Sequence, residues 1–296
     1  MNSNSIFRSF HFYDIFIQIN NLKITKTNGL LTYQDLKIVQ KKKESMLIFD
    51  FDGVLMDSVR EIAVTTYNML KGTIVTRLDQ LPQEALDLFL RNRFHVQPIG
   101  DAPVLMEWCL ETDDSDPQIL LSEKEYDDII RHIDEPVTVR TTRFFDTRAR
   151  FKARDLKAWI ALNKPVQPLW DRLIERRSSD LVMLTNKNRE ATLALCNHFG
   201  LQVNNANIYS GDNGTTKIDN MQQIRQRFKD CNYAFIDDSV KNLSEIDAYF
   251  NKDKKAIALI FAEWGYTGPG DARLARGLGY QSLTIEKFMD QLQNKF

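Results

Sequence analysis

Met46-Leu-Ile-Phe-Asp-Phe-Asp-Gly-Val-Leu-Met-Asp57-Ser58 is the stretch on which the reading of this chain turns. An apolar run, Leu47 to Phe49, leads directly into Asp50, Asp52 and Gly53. Short apolar runs bounded by turn residues read as buried strands of a parallel sheet. In open α/β sheets ligands bind beyond the carboxyl ends of the strands. Two carboxylates one residue apart at such an end, followed by a glycine turn, make a poor surface loop and a good metal and phosphate site. An extended backbone would send Asp50 and Asp52 to the same side, because side chains alternate with period two.

Three later segments repeat or complement this pattern. Leu181-Val-Met-Leu-Thr185-Asn186-Lys187 is an apolar strand ending in a hydroxyl. Gly214-Thr-Thr-Lys217-Ile-Asp219 places a lysine after a glycine-rich loop. Tyr233-Ala-Phe-Ile-Asp237-Asp238-Ser239 is an apolar strand ending in an acidic pair. Two adjacent acids after a buried strand repel each other unless a cation is near. In this order the four segments resemble the four motifs of the haloacid dehalogenase superfamily of phosphatases, the first written DxDGVLxDS. The resemblance spans Met46 to about Ile260 and rests on the collinear set, since a lone Thr or Lys is unspecific.

The resemblance implies an α/β fold: a Rossmann-like parallel-sheet core with an inserted all-helical cap of the C1 type. It implies a Mg²⁺-dependent hydrolase of a small phosphate monoester that works through an aspartyl-phosphate. Asp50 is then the nucleophile and Asp52 the general acid and base. Asp50, the backbone carbonyl of Asp52, and Asp237 with Asp238 would hold Mg²⁺. Lys217 would neutralise nucleophile and phosphoryl oxygens, and Thr185 and the Asn186 N–H would bind those oxygens. Family variants written GDxxxD align Asp238 with the acidic residue and put Asn242 where a second acid stands; variants written DD point to Asp237. Both acids are kept as candidate ligands. Asp52 argues against dehalogenation, whose family members lack the second acid. A phosphomutase on the same core, or a non-catalytic binding or regulatory protein that retains the fold, are the rival readings. The substrate is a phosphorylated metabolite that the sequence does not specify, because cap side chains set specificity.

Composition sets the bounds. The chain has 296 residues, 43% hydrophobic and 27% charged, enough for a full core and a second unit. A net charge of −1 gives no reason to expect nucleic acid as partner. Three scattered cysteines suggest neither zinc nor a disulfide framework, so a reducing, cytoplasmic setting is expected. Apolar runs fall short of the ~20 residues that span a bilayer, so no membrane is expected. Oligomeric state is open. Residues 1–45 differ from the rest: seven Lys or Arg against three Asp or Glu give +4 and leave −5 for the remainder. They read as a surface-docked extension, as residues upstream of a natural start at Met46, or as a targeting or partner-binding segment. In each case they are expected to be dispensable for catalysis.

The pattern along the chain divides it into a core over 46–61 and 165–296 and a helical cap over 62–164. Ser58 with Glu61 reads as a capping box opening a helix to Leu70, and Ser122 with Glu125 as another. Helices are expected from Pro82, over Asp101 to Leu110, and over Phe151 to Leu162, with no strand between them. The cap is expected to close over the strand ends. After Pro165 strands and helices alternate: strands at 181–184, 207–209, 233–236, 256–261 and 281–285, helices at 189–199, 216–228 and 240–250, and a terminal helix. Asp57 reads as a helix-start residue near the positive end of a helix dipole. Lys187 reads equally as a solvated helix-start residue or as part of a phosphate channel. Arg140, Arg143, Arg148 and Arg150 read as a solvated face in preference to a substrate clamp. Trp108, Trp159 and Trp170 read as packing residues.

Overall fold

The structure is a computed structural model that describes residues 45–112, 119–175 and 181–295. The N-terminal extension falls outside the described residues except for Ser45. The chain opens with β1 (Ser45–Phe49), β2 (Met56–Asp57) and α1 (Val59–Lys71). Next come α2 (Gln83–Asn92), α3 (Ala102–Glu111), α4 (Glu123–Arg131), α5 (Val137–Arg154) and α6 (Leu156–Ala161). β3 (Lys164–Pro165) and α7 (Leu169–Glu175) lead back to β4 (Val182–Leu184). Then follow α8 (Arg189–His198), β5 (Ile208–Tyr209), α9 (Lys217–Arg227), β6 (Asn232–Asp237) and α10 (Val240–Phe250). The chain closes with β7 (Ile257–Ala262), α11 (Asp271–Gly277), β8 (Gln281–Leu283) and α12 (Ile285–Lys295).

Six strands form one sheet in the order β5-β4-β1-β6-β7-β8, every neighbouring pair parallel. The chain steps outward from β1 to β4 and β5, then returns to the other side of β1 for β6. The order therefore reverses between β1 and β6, where an open sheet leaves a crevice at its carboxyl end. Asp50 follows β1 at this point, and Asp237 ends β6.

The apolar runs are continuous because both faces of the sheet are covered. Phe49, Met183 and Ile236 face one layer, where they meet Trp170 and Leu173 of α7, Leu195 of α8, and Phe288 and Leu292 of α12. Ile48, Val182 and Phe235 face the other, with Met221 and Ile224 of α9 and Leu243 and Ile246 of α10. The helices α1 to α6 fall between β2 and β3, which pair antiparallel with Met56 opposite Pro165 and Asp57 opposite Lys164. That short ladder forms the neck through which the insertion leaves and rejoins the core. Among the described residues no helix is long and apolar enough to cross a membrane.

Several local expectations change. Ser58 does not cap α1 with its side chain. Asp57 does, accepting from Val59 N at 3.1 Å, while Glu61 turns inward to Arg148 and Thr65. The Ser122–Glu125 capping box is present. The helix expected over Phe151 to Leu162 is two helices, because Asp155 leaves the helical region (φ −156°) and caps α6 through Ala158 N. α5 begins much earlier, after Pro136. Neither the β2–β3 ladder nor α11 has a signal in the hydrophobic pattern; β2 and β3 are two residues each, too short to show a period.

Candidate active site

Two buried charge centres meet at the carboxyl end of β1. In the first, Lys217 Nζ lies 3.2 Å from Asp50 Oδ2 and 2.6 Å from Asp237 Oδ2. Lys217 is delivered by the start of α9, whose N-cap Thr216 and Asp219 form a capping box. Asp237 is fully enclosed. Ser239 N donates to its Oδ1 at 2.8 Å, and Asn242 Nδ2 donates to both oxygens at 3.1 and 3.2 Å. Asp238 has one strong donor, the Tyr266 backbone N–H at 2.7 Å. Asp50 Oδ1 is buried and accepts no hydrogen bond. Burial, opposed by Lys217 and reinforced by Asp237 and Asp238, pushes the Asp50 carboxyl well above the usual range. Burial and the charge of Asp237 push Asp238 up to about 7. Lys217 is held charged: burial disfavours its ammonium, but Asp237 and Asp50 outweigh that.

The turn after β1 makes room for this cluster. Phe51 O accepts from both Leu55 N and Met56 N, so the chain leaves the extended state at once and period-two alternation ends there. Gly53 takes φ +85° at the turn. A Cβ on Gly53 would stand 2.0 Å from Asp238 Oδ2, and one on Gly265 would stand 2.3 Å from Asp238 Cβ. Asp238 is thus seated in a cradle that only glycine permits on both sides.

The second centre is balanced. Lys187 Nζ lies 3.0 and 3.2 Å from the Asp52 oxygens and 3.5 Å from Ser58 Oγ. Arg148 of α5 holds Glu61 of α1 in a two-bond fork at 2.9 and 2.7 Å. Burial would raise the Asp52 carboxyl, but Lys187 and Ser58 hold it below its usual value. Burial also lowers the Lys187 ammonium, only partly offset by Asp52. Of the two readings open for Lys187, the solvated one is corrected: the residue is buried. The same correction applies to Arg148, which is buried beside Phe144 and Phe145, and to Arg140, buried against Asp101. Arg143 and Arg150 are exposed, as on a solvated face.

Asp50, Asp52, Thr185, Asn186, Lys217 and Asp238 line one cleft of about 450 Å³. Asp237 sits behind it. Thr185 Oγ accepts the Lys187 N–H at 3.1 Å, which fixes the loop after β4. From the cap come Ile62, Arg93, Phe94, Ile99, Phe145 and Arg148, so the insertion stands over the strand ends. Sequence reasoning missed Glu61, Arg93 and Tyr266. Tyr266 lies in the Trp264–Gly270 loop that follows β7, and its position beyond a strand's carboxyl end was the available signal.

The residues fit a small divalent cation. Asp50, Asp237 and Asp238 offer oxygens within 4.8 Å of one another. Asp50 Oδ1 is buried without a protein donor, and a single lysine is left to balance three carboxylates. Oxygen-only ligands are what Mg²⁺ prefers.

No protein-family model matches this chain, and no curated protein matches it. Solved structures do. A candidate phosphatase from Clostridium difficile superposes with a TM-score of 0.53 at 14% identity, over 85% of this chain and 100% of that one. A predicted phosphoglycolate phosphatase from Haemophilus somnus superposes with a TM-score of 0.50 at 15% identity, over 86% of this chain and 98% of that one. At such identities the likeness is one of fold. The chain has the haloacid dehalogenase-like architecture: a Rossmann-like parallel sheet with a helical cap inserted after its first strand.

Proposed function

We propose that this protein hydrolyses a small phosphate monoester through a phosphorylated Asp50, with residues 62–164 as its cap. The observation that carries the reading is the cluster of Asp50, Lys217 and Asp238 at the β1/β6 crevice, with Asp52 beside it. Hydrolysis of phosphate monoesters is among the slowest reactions in water, so a large barrier must be removed. Splitting the displacement into two steps at a carboxylate is one way to remove it.

In the first step an Asp50 oxygen bonds to phosphorus as the bond from phosphorus to the ester oxygen breaks, and the proton of the Asp52 carboxyl passes to the leaving oxygen. In the second, water attacks the phosphorus, Asp52 takes its proton, and the bond to Asp50 breaks. Lys187 holds Asp52 ionised, which suits the second step. The phosphoryl dianion entering the cleft adds like charge, which raises a carboxyl's proton affinity and suits the first. Lys217 offsets repulsion between Asp50 and the phosphoryl oxygens. Thr185 Oγ and the Asn186 N–H bind those oxygens.

Asp50, Asp238 and the backbone carbonyl of Asp52 would hold Mg²⁺. Asp237 backs them, because its oxygens already serve Lys217, Ser239 and Asn242. Once bound, the ion would supply positive charge that offsets the repulsion between the Asp50 carboxylate and an anionic phosphoryl group. The test is hydrolysis of 4-nitrophenyl phosphate by the full chain, with and without Mg²⁺. Turnover that disappears in Asp50→Asn supports the reading. A purified, folded protein with no turnover on this or any phosphorylated metabolite in a screen would contradict it.

A further inference from the structure

The cap carries three arginines with little or partial exposure, and the protein treats them differently. Arg140 is paired with Asp101 at 2.6 Å. Arg148 is forked onto Glu61 at 2.7 and 2.9 Å. Arg93, just after α2, is partly buried and has no carboxylate in ion-pair contact among the described residues. Its Nη1 donates to Val96 O at 2.8 Å, and its Nε is buried with no acceptor. Leaving a buried guanidinium N–H unsatisfied is costly, more so than for a neutral donor. Where the fold buries a cap guanidinium most deeply it supplies an acid, and at Arg93 it does not.

Arg93 is also fixed in place where it lines the cleft. Its guanidinium lies 4.6 Å from the centre of the Tyr266 ring. That ring is fixed at both ends: its backbone N–H donates to Asp238, and its hydroxyl accepts the Ser58 N–H at 2.6 Å. The flanking cap residues are docked on the core. A Cβ on Gly268 would come within 2.5 Å of the Phe94 ring, and Ser239 Oγ donates to Gln97 Oε1 at 2.9 Å. Tyr266 therefore touches both residues, Arg93 through its ring and Asp238 through its backbone N–H, and Arg93 lines the proposed phosphoryl cleft from the cap. The other cations that line the cleft are engaged or hydrated. Lys187 is spent on Asp52, Lys217 on Asp50 and Asp237, Arg148 on Glu61, and Lys241 is exposed.

We propose that Arg93 sets the specificity of the cleft by binding a second anionic group, a carboxylate or a further phosphate, carried by the alcohol half of the substrate. This rests on the phosphohydrolase reading and narrows it to phosphate esters of acidic alcohols. A planar, permanently charged donor with unspent N–H groups is suited to take such a group through two bonds, as a lysine is not.

The experiment compares matched substrates with the full-length protein and Mg²⁺. 3-Phosphoglycerate and glycerol 3-phosphate differ by a carboxylate against a hydroxymethyl group. Fructose 1,6-bisphosphate and fructose 1-phosphate differ by a second phosphate. The wild type should favour the more anionic member of at least one pair in kcat/KM, and the pair that shows it identifies the group. Arg93→Gln should reduce that preference by roughly 10- to 100-fold, the value of a hydrogen bond to a charged partner, and Arg93→Lys by less. An unchanged preference in Arg93→Gln, or none in the wild type, would overturn the proposal. Arg93 acting on the transferred phosphoryl group would lower both members of a pair equally, which also overturns it. Calorimetric titration of the same pairs keeps the two readings separable. Discrimination that depends on Arg93 without any turnover breaks only the hydrolase reading. Turnover with discrimination indifferent to Arg93 breaks only this one.

Discussion

The two charge centres at the end of β1 are built from the same materials and balanced differently. Around Asp50 three carboxylates share one lysine. Around Asp52 two carboxylates, Asp52 and Glu61, face two cations, Lys187 and Arg148. The balanced centre satisfies itself and ties α1 and α5 of the cap to the turn after β1. The unbalanced one raises the proton affinities of Asp50 and Asp238, because burial and mutual repulsion favour their neutral forms. Excess acid in a buried site is unfavourable by itself and becomes favourable when a cation enters. An imbalance that the rest of the fold leaves in place therefore marks where something else binds.

The largest expected effect tests that assignment directly. Asp50→Asn should lower turnover by about 10³-fold or more, the scale seen when a nucleophile is removed. It should not lower the melting temperature, since one of three repelling charges is gone. Near-normal turnover in a pure preparation would place the chemistry elsewhere. EDTA should have an effect of the same order on the wild type, reversed by Mg²⁺. Ca²⁺ should restore little, because its longer, looser coordination misplaces the nucleophile. Full activity in EDTA would make the acid cluster a feature of the fold alone.

Next in size is the balanced centre. Breaking its fork with Glu61→Gln should cost about 3–5 kcal/mol, as for other buried pairs that lose one partner, read from urea unfolding. Replacing both partners, Glu61→Leu with Arg148→Met, should recover most of that loss. A single variant as stable as the wild type would show that the fork contributes nothing to holding the cap.

The smallest expected effect is a difference of sign with pH. Asp238 has a folded pKa of about 7, raised from 3.8. Its contribution in metal-free protein is present at low pH and lost as pH rises through about 7. Glu61 is shifted below 4.5. Its contribution is present above 4.5 and lost as pH falls through the depressed value. Each slope is at most about 1.4 kcal/mol per pH unit for one proton. Thermal unfolding in EDTA should show the first slope between pH 5 and 7, below the folded pKa of Asp238 and above the range in which Glu61 titrates. Asp238→Asn or saturating Mg²⁺ should flatten it. Glu61→Gln should flatten the acid limb instead. A metal-free stability that rises between pH 5 and 7 would contradict the charge balance drawn around Asp238.

Much of the candidate site is legible in the sequence. Asp50, Asp52, Thr185, Lys217, Asp237 and Asp238 each stand at or next to the end of an apolar run or at a helix start, and a parallel sheet brings such ends together. Glu61 and Arg148 were not legible, because they meet across 87 positions of sequence. Both lie in helices that mix buried and exposed polar residues, which the hydrophobic pattern does not sort, and Glu61 also fitted a local capping role. The division of labour between Asp237 and Asp238 was equally hidden. Adjacent residues alternate sides, and only the packed neighbours show that Asp237 turns to Lys217 while Asp238 turns to the cleft.

The sequence by itself therefore determined the class of sheet, the order of its elements and the acids at its crevice. Apolar runs and strand ends are local, and burial enforces them wherever they occur. The tertiary structure alone decided which charges are balanced. That depends on distances between α1, α5 and the strand ends, set by how the cap packs on the sheet. It left Arg93 with no acid of its own for the same reason, since pairing between distant helices has no periodic trace in the chain.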